Sequence, residues 1–221
     1  IRNSDYTIRE YICNFIMSTL ETNLIQPSTG TALTVGASGD TITVPSGATF
    51  NVAGTLQSGG SAITQGITEA DFFVCNADQS ISNSTRTLVS GNWQRSAVSD
   101  FSKIGTGMTE SSGIFTFPST GIYLVEAQAD VYADSGALLY ANVAIDVTSN
   151  NSSYNERTNS WNSNHASSTY SSTYKKCFVD VTDTSNVKVK IFTYASGASY
   201  KLRGNSDKAE TCAIFIRLGD T

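Results

Sequence analysis

Between Ile122 and Val131 the chain alternates with a period of two. Tyr123, Val125, Ala127, Ala129 and Val131 fall on one side, and Glu126, Gln128 and Asp130 on the other. Successive side chains of a strand point to opposite faces, so the stretch reads as a half-buried antiparallel strand. A shorter strand, Ile114 to Phe117, precedes it across Pro118-Ser119-Thr120-Gly121. Pro118 presets φ for a turn there, and Gly121 tolerates backbone geometry that other residues resist.

From Glu69 onward the same pattern continues. Candidate strands are 70–76, 84–89, 114–117, 122–132, 137–148, 176–182, 187–194 and 211–218, with turn signals such as Ser90-Gly91-Asn92, Asp134-Ser135-Gly136 and Ser196-Gly197 between them. Regular short strands without a helical period predict an all-β sandwich or jelly-roll head over residues 69–221. In TCAIFIRL, Cys212, Ile214, Ile216 and Leu218 form one apolar face, and Ala213 and Phe215 make the opposite face apolar too. Phe72, Tyr140 and Phe192 likewise stand opposite apolar neighbours. A two-sheet sandwich buries one face of each sheet. Phe72, Tyr140, Phe192 and Phe215 are therefore assigned to subunit packing on a threefold axis, with cover by loops as the alternative.

Residues 20–60 differ in kind. They hold three apolar-polar-apolar triads, Leu33-Thr34-Val35, Ile42-Thr43-Val44 and Phe50-Asn51-Val52, separated by Gly-Ala-Ser-Gly-Asp and Pro-Ser-Gly-Ala. The linkers are turn chemistry. Strands this short do not stabilise a monomeric sheet, and a repeat that cannot bury its own apolar face does so against neighbours. The expectation is a short β-prism or β-spiral stem over 17–68, with Leu33, Val35, Ile42, Val44, Phe50 and Val52 closing layers between three chains. A flexible linker is the alternative. Residues 57–65 read as a hinge. Residues 1–16 have two readings: a helical attachment segment built on Ile8, Ile12, Phe15 and Ile16, or an extension ahead of Met17. They carry no uninterrupted apolar core and no small-residue cleavage site of the secretory kind.

The 221 residues carry a net charge of −5 and no basic stripe, so nucleic acid is not an expected partner. No apolar run approaches the roughly 18 residues of a membrane span, so membrane insertion is not expected. Cys13, Cys75, Cys177 and Cys212 form no CxxC pair and lie far from the one histidine, so neither a metal nor a cofactor is expected. Cys75, Cys177 and Cys212 each lie in a strand-like apolar run and read as buried thiols, with a Cys177–Cys212 disulfide as the alternative. His165 lies in NSNHASS without an anchoring partner or a GxSxG elbow. Glu126, Asp130 and Asp146 lie on polar faces of neighbouring candidate strands, which reads as a solvated sheet face rather than a carboxylate pair in a cleft. The chain is not expected to be an enzyme.

One segment remains as a candidate for recognition. Residues 148–175, TSNNSSYNERTNSWNSNHASSTYSSTYK, are almost free of aliphatic side chains yet carry Tyr154, Arg157, Trp161, His165, Tyr170 and Tyr174. Rigid aromatics among adaptable amides and hydroxyls form the mixture that combining loops use, and flat rings suit sugar stacking. A solvated connection, partly a hairpin with its aromatics on the sheet, is the alternative.

GIFTFPSTGIYLV resembles the tumour necrosis factor-like jelly roll, in particular the globular heads of complement and collagen-like proteins. Phe117, Pro118, Gly121 and Tyr123 match that family's aromatic-Pro-x-x-Gly-x-Tyr turn, and DTSNVKVKIF and TCAIFIRLGDT agree in order. The resemblance covers 69–221, departs at the Asn/Ser/Tyr-rich insertion, and implies a homotrimer. Residues 17–60 look like the threonine- and glycine-rich stems of tail-fibre proteins in marine bacteriophages, especially cyanophages. Together the two resemblances imply a virion fibre assembled in the host cytoplasm. It would hold other virion proteins by its N-terminal segment and meet a host-surface glycan or protein with its head. A capsid-bound or decoration fibre of purely structural role, and a secreted cytokine- or lectin-like trimeric ligand, are the alternatives.

Overall fold

The structure, a computed structural model, describes residues 25, 30–63, 66–95, 103–197 and 199–221. The expectations for 1–16 lie outside the described residues. The chain divides into two compact units, Ile1–Leu56 and Gln57–Thr221.

In the first unit the linkers fold as their residues require. The Asp40 amide donates to Ala37 O at 3.1 Å, the Ala37 amide donates to the Asp40 carboxylate at 2.7 Å, and the Ala48 amide donates to Pro45 O at 3.0 Å. The triads form no strand within one chain, and Leu33, Val35, Ile42, Val44, Phe50 and Val52 are all exposed, Phe50 by 69%. A single copy makes the turns but has nothing with which to cover three-residue apolar segments.

In the second unit the strands are β1 (Gln57–Ser58), β2 (Ser61–Ala62), β3 (Ala70–Cys75), β4 (Gln79–Ile81), β5 (Thr87–Leu88), β6 (Trp93–Gln94), β7 (Thr109–Ser111), β8 (Ile114–Thr116), β9 (Gly121–Ser135), β10 (Leu138–Thr148), β11 (Asn155–Asn164), β12 (Thr169–Val181), β13 (Lys188–Ser196), β14 (Ser199–Leu202) and β15 (Cys212–Gly219). Among the described residues there is no helix. β1 and β2 pair as a small hairpin where a hinge is expected. The remaining strands form two antiparallel sheets. Sheet 1 runs β11-β10-β13-β8-β7, with β5 on β13. Sheet 2 runs β4-β14-β9-β15-β3-β6, with β12 along the other edge of β9.

The core lies between the sheets, and the alternation of β9 sets its floor: Tyr123, Val125, Ala127, Ala129, Val131 and Ala133 are all buried. Phe73, Phe115, Phe117 and Phe215 meet above it, with ring centroids 4.9 Å apart for Phe115–Phe215 and 5.2 Å for Phe73–Phe115. The expected turn is pinned from three sides. The Tyr123 hydroxyl lies 2.9 Å from the Ser119 hydroxyl and donates to Ser119 O, and Arg217 Nε donates to Thr120 O. Gly121 has φ of 139°, and a Cβ there would lie 2.5 Å from Gly219 O.

Several expectations change. Phe215 is 1% exposed and belongs to the core, not to a subunit surface. β15 offers two apolar faces; the face with the large ring turns inward because Phe73 and Phe115 receive it, which leaves Cys212, Ile214, Ile216 and Leu218 outward. Phe72 and the pair Tyr140 and Phe192 do face outward, but on opposite sheets, so one threefold axis does not gather all three. The strand expected over 84–89 shrinks to β5, because Ser84 adopts a turn with φ of 54°. Asp146 sits in sheet 1 while Glu126 and Asp130 sit in sheet 2, so these carboxylates are not neighbours. Cys177 points inward from β12 and Cys212 outward from β15, with β9 between them, so the disulfide alternative fails; Cys75, Cys177 and Cys212 are free thiols.

Candidate functional site

The segment 148–175 is not a loop. It is β11, at the edge of sheet 1, followed by β12, at the edge of sheet 2. Its aromatics therefore divide between the two outer faces of the sandwich instead of converging.

On β12 the even positions point away from the core. Tyr170 pairs with Tyr132, Tyr174 with Gln128, Lys176 with Glu126 and Phe178 with Leu124. The Tyr170 and Tyr132 rings lie 4.8 Å apart. Burial, with the Glu126 carboxylate alongside, pushes the Tyr174 hydroxyl up to about 12. β15 extends this face with Ile214 opposite Glu126 and Ile216 opposite Leu124, and β3 adds Phe72 opposite Ile214. The result is an apolar band of Phe72, Ile122, Leu124, Phe178, Ile214 and Ile216 on the solvent side of sheet 2. Phe178 is 70% exposed. Phe72 was legible as an outward aromatic; Phe178 was missed because the strand before it has few aliphatic residues.

On sheet 1, β10 carries small or polar residues outward, flanked by larger side chains. Asn142 stands between Trp161 of β11 and Tyr194 of β13. Ala144 stands beside Phe192, over which the Arg86 guanidinium stacks at 3.9 Å. Arg86 holds Asp146 through both carboxylate oxygens, at 2.5 and 3.1 Å, and reaches Glu156 at 3.2 Å. Lys190 Nζ lies 3.9 Å from the Tyr154 ring centroid. A second buried carboxylate, Asp71, accepts from Arg95 Nε at 2.9 Å and from the Met108 amide at 2.7 Å. Carboxylates held in two-point ion pairs have their lone pairs committed, so Asp71 and Asp146 act as struts and not as proton-transfer groups.

Arg157 points toward the seam between the sheets. There a cavity of about 440 Å³ is lined by Val147, Thr148, Cys177, Phe178 and Val187 as well as Arg157. His165 is exposed after β11. Among the described residues no group of His, Cys, Asp and Glu has the arrangement of a metal site. Burial pushes all three described thiols up, Cys212 to about 11 with Asp130 and Glu126 adding to the effect. These are not reactive thiolates.

No family model matches the chain, and neither does any curated protein. Solved structures do resemble it. The structure of Eiger TNF from S. frugiperda superposes with a TM-score of 0.51 at 13% identity, over 69% of this chain and 93% of that one. Murine APRIL at pH 5.0 matches with a TM-score of 0.48 at 16% identity, over 68% of this chain and 98% of that one. The likeness to the Eiger structure shows the fold: the two-sheet sandwich is a tumour necrosis factor-like jelly roll.

Proposed function

We propose that the chain is a non-enzymatic, homotrimeric fibre protein of a virion. Its stem holds other particle proteins, and its head meets a glycan on the host surface. The observation that carries the reading is the apolar band on the outer face of sheet 2. A sandwich already has its core between the sheets, so a contiguous apolar patch on the far side of one sheet is an association face. The exposed triads of 30–56 point the same way, since they too lack cover in one chain. A trimer answers both needs, and three weakly binding heads gain strength by acting together.

A jelly roll of this kind also fits a secreted cytokine-like ligand. The repetitive turn-and-triad segment preceding the head in sequence favours the fibre, because repeats with exposed apolar triads suit a stem built from several chains. Antibody raised against the head should decorate purified particles in electron micrographs. Labelling confined to a secreted soluble fraction overturns the virion reading.

A further inference from the structure

The geometry points to the outer face of sheet 1, around Trp161, Tyr140 and Tyr194, as the surface that binds a neutral pyranose of the host glycan. This rests on the proposal that the head meets a glycan, and adds where the contact is made and which class of sugar fits.

The three rings are brought together by register. Asn142 pairs with Trp161 on one side and Tyr194 on the other, and Tyr140 lies two residues earlier on the same face. The Tyr140 and Tyr194 rings are parallel within 6° at 5.7 Å, and Trp161 stands edge-on to them at 5.6 and 5.7 Å. The cluster closes over Asn142, which is 3% exposed, yet Trp161 itself remains 54% exposed. It is thus supported from below and open above. Polar groups follow at one edge: Ser196 stands opposite Tyr140 in the ladder and meets the Ser84 hydroxyl at 3.1 Å, and Ser84 donates to the Asn83 side chain.

An aromatic face carries partial negative charge and attracts the weakly positive C–H face of a sugar ring, while hydroxyls and amides at the margin bond to sugar hydroxyls. Charge selects the class. The charges that come next along this face are already satisfied, Arg86 by Asp146 and Glu156 and Lys190 by the Tyr154 ring. Among the described residues an acidic sugar would meet no cation beside the rings that is not already held by a carboxylate or an aromatic face, whereas a neutral one needs none. Tyr140, expected at a subunit interface, is thereby reassigned to ligand contact.

The test uses the full chain and a panel of neutral glucose-, galactose- and mannose-containing oligosaccharides, with uronate-containing ones beside them. Of the two tryptophans, Trp93 is buried with its indole N–H bonded to Val89 O at 2.8 Å, so a change in emission on binding reports Trp161. A neutral probe should shift that emission. Binding of the variants is read by titration calorimetry, which needs no tryptophan: Trp161→Ala and Tyr140→Ala should each weaken it about tenfold or more, Trp161→Phe should recover part of it, and Tyr170→Ala, on the other sheet, should change nothing. Thermal midpoints and masses of the variants report whether each is folded. Binding that survives both Trp161→Ala and Tyr140→Ala overturns this site and leaves glycan contact standing. Preference for uronate probes overturns the neutral class. Absence of binding to every probe and to host cells overturns this site and the glycan-contact reading together.

Discussion

At the scale of single residues, Phe215 shows how far an alternation pattern reaches. TCAIFIRL told that both faces of the last strand are apolar, but not which face meets the core. That choice is made by Phe73 and Phe115, distant in sequence, whose rings leave a space that Phe215 fills. Phe215→Ala should cost about 3–5 kcal/mol, the range for emptying a buried aromatic site, read as a lower denaturation midpoint at fixed protein concentration. A loss under about 1 kcal/mol would place the ring outside the core. The thiols give a second residue-scale expectation. Cys212 is raised by burial, then by Asp130 and Glu126, from 9.0 to about 11, and Cys75 shifts the same way. The fold keeps these thiols protonated where the unfolded chain ionises them. The Cys212 contribution is therefore complete below about pH 9 and is lost as pH rises toward 11. Denaturation midpoints should fall across that window, and Cys212→Ser should flatten the fall. A profile that is level in the wild type contradicts the placement.

At the scale of elements, β9, β10 and β13 were legible because their inward positions are aliphatic or aromatic. β11 and the first half of β12 were not. Their inward positions are Thr158, Ser160, Ser171 and Thr173, so no apolar period marks them. They form strands because β10 and β9 offer edges to pair with. The β-branched and aromatic run TYSSTY was the signal available for β12. The arrangement leaves the Ser160 and Ser171 hydroxyls buried without a hydrogen-bond partner. Removing an unsatisfied buried hydroxyl relieves its desolvation cost. Ser171→Ala should accordingly raise stability by about 1 kcal/mol, measured as the shift in urea midpoint times the slope. A loss of similar size would mean that the hydroxyl is bonded. The candidate site suffered from the same gap: of six residues grouped by sequence proximity, Arg157 and Trp161 lie on β11, Tyr170 and Tyr174 on β12, and Tyr154 and His165 outside both strands, while Tyr194, part of the aromatic cluster, lay in a strand that looked purely structural.

At the scale of the whole molecule, the two units share one deficit, apolar surface that a single copy does not cover. In the first unit it is the triads; in the second it is the band across β3, β15, β9 and β12. The two sets of residues are unrelated in sequence and in local structure, so a common answer through self-association is economical. The direct measurement is the mass in solution by light scattering of the full chain and of Ile216→Asp, whose charge falls within the head's band and outside its core. The wild type should weigh three times the 23.5 kDa of one chain. The variant should shift toward lower mass on dilution, with its far-ultraviolet circular dichroism unchanged. A wild type of one-chain mass across the concentration range contradicts the account.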